Sequence, residues 1–147
     1  MHRHNVTGLE ELLQTSDIVS VHTPLTDETR KLIDASALEL MKLTSILVNT
    51  ARGAVVDTDA LAIALREGKI AGAGIDVLPE EPATTDMPLI QLWQEDQQPP
   101  VNLMITPHTA FYSDAGLVEM RQKAAQEVRR VLSGEMPKNC VNREFLQ

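Results

Sequence analysis

Between Ser45 and Val77 the chain reads SILVNTARGAVVDTDALAIALREGKIAGAGIDV, and this stretch decides the fold. It opens with Ser45-Ile-Leu-Val-Asn49, a short apolar run of the kind that forms a buried strand, and the run stops at a polar turn. Asp57 or Thr58 can then cap a helix in which Leu61, Ala62, Ala64 and Leu65 share one face, and Gly68 can end it in the left-handed conformation. Gly74-Ile-Asp-Val77 follows as a second strand, with Gly72-Ala-Gly74 read as the turn that leads into it. Strand, helix and strand in this order predict a parallel pair, because parallel strands need a long crossover and a helix supplies one.

The pattern extends in both directions. Upstream, Asp17-Ile-Val-Ser-Val-His22 is β-branched and breaks at Pro24; downstream, Asn102-Leu-Met-Ile-Thr106 is stopped by Pro107. Leu9 to Leu13 reads as a short amphipathic helix, and Ser36-Ala-Leu-Glu39 spells a capping box before Leu40 and Met41. The stretch from Pro79 to Pro100 is irregular, with a turn of helix expected around Leu89 to Trp93. A longer helix is predicted over 113–133, with Leu117, Met120, Ala124, Val128 and Val131 three or four apart and Gly134 beyond it. The fold class is α/β, with four strands.

Composition narrows the function. At 147 residues and 43% hydrophobic content the chain can bury one core. A formal net charge of −8, with both signs interspersed, argues against direct nucleic-acid binding, which uses a clustered basic face. The single cysteine, Cys140, allows no intrachain disulfide. No apolar run reaches the roughly 20 residues that span a bilayer. A soluble, cytoplasmic protein without a membrane partner is expected.

Three residues past the apolar runs carry the chemistry. Arg52 follows the second strand, where its planar fork could grip a substrate carboxylate, and Gly53 lets the chain turn sharply. A surface arginine paired with a neighbouring acid fits those residues as well. His108 is presented by Pro107 at the end of the fourth strand, as a general acid/base would be, although a loop histidine can simply be exposed. Glu81 could orient the ring and favour its imidazolium; alternatively Glu80 and Glu81 form a solvated acidic loop. His2, His4 and His22 lack the spacing of a zinc site, so no metal is expected.

Six ordered motifs then align with one family: Asp17-Ile-Val19, His22-Thr-Pro-Leu-Thr26, Asn49-Thr-Ala-Arg-Gly53, Gly74-Ile-Asp-Val77, Glu81-Pro82 and Thr106-Pro-His108. The chain resembles the C-terminal part of a D-isomer-specific 2-hydroxyacid dehydrogenase. Within that family Thr106-Pro-His-Thr-Ala-Phe-Tyr-Ser113, Glu119-Met-Arg121 and Lys138-Asn-Cys-Val-Asn142 are similar to the C-terminal-binding-protein branch, whose vertebrate members are corepressors. Phe111 stands where that branch typically has tryptophan.

The resemblance implies an NAD(H)-dependent enzyme acting on a small 2-oxo or D-2-hydroxy acid, with Arg52, Glu81 and His108 as its catalytic residues. It also implies that the Ala51-Arg52 backbone and Asp76 meet the nicotinamide carboxamide and that His22, Thr23 and Pro24 border the cofactor ribose. Thr50, His108 and Ala110 complete the implied cofactor side. The implied architecture is the second half of a Rossmann-like parallel sheet with flanking helices, plus the helix over 113–133. The glycine-rich half and the substrate domain are absent from 1–147, so the chain reads as a piece of a longer one and is expected to be inactive in isolation. Two other readings are a dinucleotide-sensing, corepressor-like interaction protein, nuclear if eukaryotic, and an inactive structural fragment. A homodimer is expected, because the edge beside Asp17 to His22 and the apolar stripe of the long helix would otherwise lie open.

Overall fold

The structure, a computed structural model, describes residues 7–95 and 101–142. It divides into two units, Met1–Ala110 and Phe111–Gln147. His2 and His4 lie outside the described residues, as does the end of the irregular stretch, 96–100.

The first unit runs α1 (Leu9–Thr15), β1 (Ile18–Val21), α2 (Ala35–Leu40), β2 (Ile46–Asn49), a 3₁₀ turn (Gly53–Val55), α3 (Thr58–Arg66), β3 (Gly72–Ile75), α4 (Pro88–Gln94) and β4 (Leu103–Ile105). The strands form one parallel sheet in the order β1-β2-β3-β4, the expected α/β arrangement. Leu47 of β2 and Ile75 of β3 are buried with Leu61 of α3, Leu38 of α2 and Leu89 of α4. Each such side chain contributes about 2 kcal/mol through removal from water.

Two expectations are corrected. Gly72-Ala73-Gly74 is not a turn: β3 begins at Gly72, which pairs with Ile46, and the strand ends at Ile75, before Asp76 and Val77. A Cβ on Gly72 would stand 2.3 Å from Asn102 Nδ2, so glycine is there to let the neighbouring chain approach. Helix α2 is capped by Asp34, whose side chain accepts from Ala37 N at 2.9 Å; Ser36 lies inside the helix and Met41 is its C-terminal cap. The carboxylate at Asp34 reaches the orphan N–H first, so the helix starts earlier than a cap at Ser36 would allow.

Helix α3 follows the sequence closely. Asp57 accepts from Asp59 N and Ala60 N, the apolar face of Leu61, Ala62, Ala64 and Leu65 is buried, and Gly68 adopts φ +66 beyond the last turn. Only glycine takes that conformation without a steric cost.

The second unit contains α5 (Asp114–Leu132), capped by Ser113 Oγ, which accepts from Gly116 N at 3.0 Å. Gly134 follows it at φ +76. Met120, Val128 and Val131 of its predicted stripe are exposed. Among the described residues no helix is long and apolar enough to cross a membrane.

Candidate active site

Parallel strands end on one side of a sheet, and the crevice there is where open α/β folds bind ligands. The loops after β2, β3 and β4 carry Arg52, Asp76 with Glu81, and His108. The turn after β2 is closed by Asn49, a buried residue: its Oδ1 accepts from Ala51 N at 3.1 Å and its Nδ2 donates to Arg52 O at 3.0 Å. The exposed Arg52 guanidinium donates to Ala51 O at 2.6 Å, and among the described residues no carboxylate pairs with it. What Gly53 supplies is room, since a Cβ there would lie 2.0 Å from the Leu78 carbonyl carbon. The turn bearing Arg52 thus rests against the loop bearing Glu81.

Glu81 and His108 meet directly. Nδ1 of His108 lies 2.7 Å from Glu81 Oε2, while Glu81 Oε1 accepts from Leu78 N at 3.0 Å. The hydrogen bond to His108, helped by that from Leu78 N–H, holds the Glu81 carboxyl below the usual carboxylate range against a small opposing effect of burial. The charged carboxylate fixes the ring's orientation and faces the positive charge of its protonated form. With Nδ1 engaged by Glu81, Nε2 is the nitrogen from which a proton can pass to a substrate.

The loop that presents His108 is built on Asp76. His108 has φ +53, a left-handed conformation that costs a non-glycine residue on the order of 1 kcal/mol. It is held there by bonds from His108 N to Asp76 O at 2.9 Å and to Thr106 O at 3.0 Å. The buried Asp76 carboxylate accepts from Thr106 Oγ1 at 2.5 Å, Thr109 N at 2.8 Å and Ala110 N at 2.9 Å. Burial alone would push this carboxyl up; the bonds from Thr106, Ala110 and Thr109, with His108 nearby, outweigh it and hold it below its ordinary value. The N–H of Ala110 is therefore committed to Asp76. Nothing in the sequence signals this network, because it depends on β3 and β4 lying side by side.

At the end of β1, His22 Nε2 and Ser20 Oγ lie 2.8 Å apart, and Pro24 O accepts from Thr29 Oγ1 at 2.6 Å. Thr23 Oγ1 is buried and makes no hydrogen bond among the described residues, which fits a polar ligand group such as a ribose hydroxyl beside it. Thr50 is exposed at the end of β2. A cleft of about 630 Å³ opens beside the Glu81–His108 pair, walled by Leu78, Ile90, Trp93 and Ile105. Among the described residues no group of three or more His, Cys, Asp or Glu could hold a metal.

Residues 1–110 match the family of the D-isomer specific 2-hydroxyacid dehydrogenase, NAD binding domain, and the chain belongs to that family. It is 48% identical over 140 residues to a glyoxylate reductase of Aeropyrum pernix, a match that covers 95% of this chain and 39% of that protein. Among solved structures, the TT0316 protein from Thermus thermophilus superimposes with a TM-score of 0.79 at 43% identity, over 92% of this chain and 40% of that one. A D-lactate dehydrogenase from Aquifex aeolicus, complexed with NAD and lactic acid, gives a TM-score of 0.77 at 39% identity, over 88% and 41%. The chain therefore spans about two fifths of the length of the relatives it matches.

Proposed function

We propose that the polypeptide carrying this chain is an NAD(H)-dependent reductase that interconverts a small 2-oxo acid and its D-2-hydroxy acid. The observation that carries this reading is the 2.7 Å contact between Glu81 and His108 at the carboxyl ends of the strands. Arg52 holds the substrate carboxylate. His108 gives a proton from Nε2 to the carbonyl oxygen, and Glu81 stabilises the charged ring. The cofactor, when bound, supplies the hydride. Relatives named for glyoxylate reduction and for D-lactate support this substrate class.

In this reading His22, Thr23, Pro24 and Thr50 border the cofactor with the Ala51-Arg52 backbone, while Asp76 and Ala110 shape the loop on its nicotinamide side. The unit Met1–Ala110 then supplies the second half of the nucleotide-binding domain, and the glycine-rich phosphate turn and the substrate domain come from elsewhere in the polypeptide. The enzyme works as a homodimer in the cytoplasm, with no direct nucleic-acid partner. His108→Ala in the native polypeptide should lower turnover by roughly 10²- to 10⁴-fold, the usual worth of general acid/base assistance. Steady-state kinetics unchanged across the neutral range would remove the assignment.

A second reading draws on the tail motifs Thr106–Ser113, Glu119–Arg121 and Lys138–Asn142: an interaction protein of the C-terminal-binding-protein type, whose assembly responds to the dinucleotide. Self-association that depends on NADH, in a polypeptide that turns over no 2-oxo acid, would favour it over the enzyme.

A further inference from the structure

We propose that Asn49 is a positioning residue that fixes the backbone of Arg52 and sets it in register with the His108 loop; this rests on the reading of Arg52 as the carboxylate-binding group. Asn49 is 1% exposed at the end of β2, in a core that is otherwise largely apolar. An unsatisfied buried amide costs roughly 1–3 kcal/mol, so a core that needed only packing would hold a leucine or valine here, as β2 does at Leu47. Both polar atoms of Asn49 are instead spent on one turn, accepting from Ala51 N and donating to the carbonyl of Arg52 itself.

The chemistry of the pair is specific to an amide of this length. Serine, threonine or an ionised aspartate could accept from Ala51 N, but aspartate has no N–H to give Arg52 O, and the hydroxyls are a bond shorter. The donated bond restrains the residue from which the guanidinium departs. Asn49 makes one further link, through its main chain: its backbone carbonyl accepts from Asp76 N at 3.0 Å. Asp76 in turn holds Thr106, His108, Thr109 and Ala110. The backbones of Arg52 and His108 are thus joined through two buried polar residues, and the separation of the carboxylate-gripping and proton-transferring groups is set in the core. A misplacement of about 1 Å can cost 10²-fold in rate.

The test uses the native polypeptide with NADH and a 2-oxo acid, comparing Asn49→Ala, Asn49→Asp, Arg52→Ala and the double variant Asn49→Ala/Arg52→Ala. Asn49→Asp keeps the acceptor and removes the donor. Each Asn49 variant should lower kcat/KM roughly 10- to 100-fold, with the pH profile unmoved. In the Arg52→Ala background the Asn49 change should add less than about 3-fold, because both act through one group. Full kcat/KM in the Asn49 variants, or losses that multiply, would overturn the proposal. An Arg52→Ala variant with unchanged kcat/KM would overturn the reading of Arg52 and this proposal with it, whereas loss in Arg52→Ala alone overturns only the role of Asn49. If the Asn49 variants do not fold, amide exchange in the wild-type chain decides. The N–H of Ala51, although in a turn, should be protected about 100-fold or more, and an unprotected Ala51 would overturn the proposal.

Discussion

The Glu81 carboxyl is pulled below its ordinary range by His108 and by the N–H of Leu78, and the direction of that shift has consequences. A depressed value in the folded state means that the pair's contribution is present above the usual carboxylate range and is lost as pH falls through the lowered value. Mild acid should therefore leave the pair intact. Charge, not shape, is what Glu81→Gln removes. In the proposed reduction the anion at Nδ1 orients the ring, so the variant should lose roughly 10- to 100-fold in kcat/KM. The kcat/KM for a 2-oxo acid at neutral pH is the quantity to follow, and an unchanged value would show that Glu81 does not support the ring.

At the scale of elements, β1 is an edge strand among the described residues and exposes Ile18, and α5, within its own unit, exposes Met120, Val128 and Val131. Edges and contiguous apolar faces invite pairing. The chain should accordingly associate, and light scattering over a concentration series should show at least a dimer; a folded monomer at every concentration would contradict this. How far such elements are legible in sequence depends on whether their cause is local. Helix α3 was legible from Asp57 to Gly68 because its cap, its apolar period and its terminator are all carried by neighbouring residues. The start of α2 was not, since Asp34 and Ser36 are both capping residues and only the fold selects between them. Gly72 looks like a turn residue until Asn102 is placed against it. Arg52, Glu81 and His108 could be singled out by type and by position after apolar runs. The bonds of Asn49 to the turn it begins, and of Asp76 to the loop after β4, could not, because they follow from strand pairing and burial.

For the whole molecule, the sheet is what brings a cation, an acid and an imidazole from separate parts of the sequence to the carboxyl ends of neighbouring strands. Asn49 bonds the turn of Arg52, Asp76 bonds the loop of His108, and Gly53 lets the first of these meet Leu78. The chain spans two fifths of its relatives' length, so the test belongs to the native polypeptide that carries it. The most direct measurement is the reduction of pyruvate by NADH with that polypeptide, followed by determination of the hand of the lactate formed. The proposed function predicts turnover on the order of 1 s⁻¹ or faster and D-lactate as the product. No turnover with pyruvate or glyoxylate, or L-lactate as the product, would contradict it.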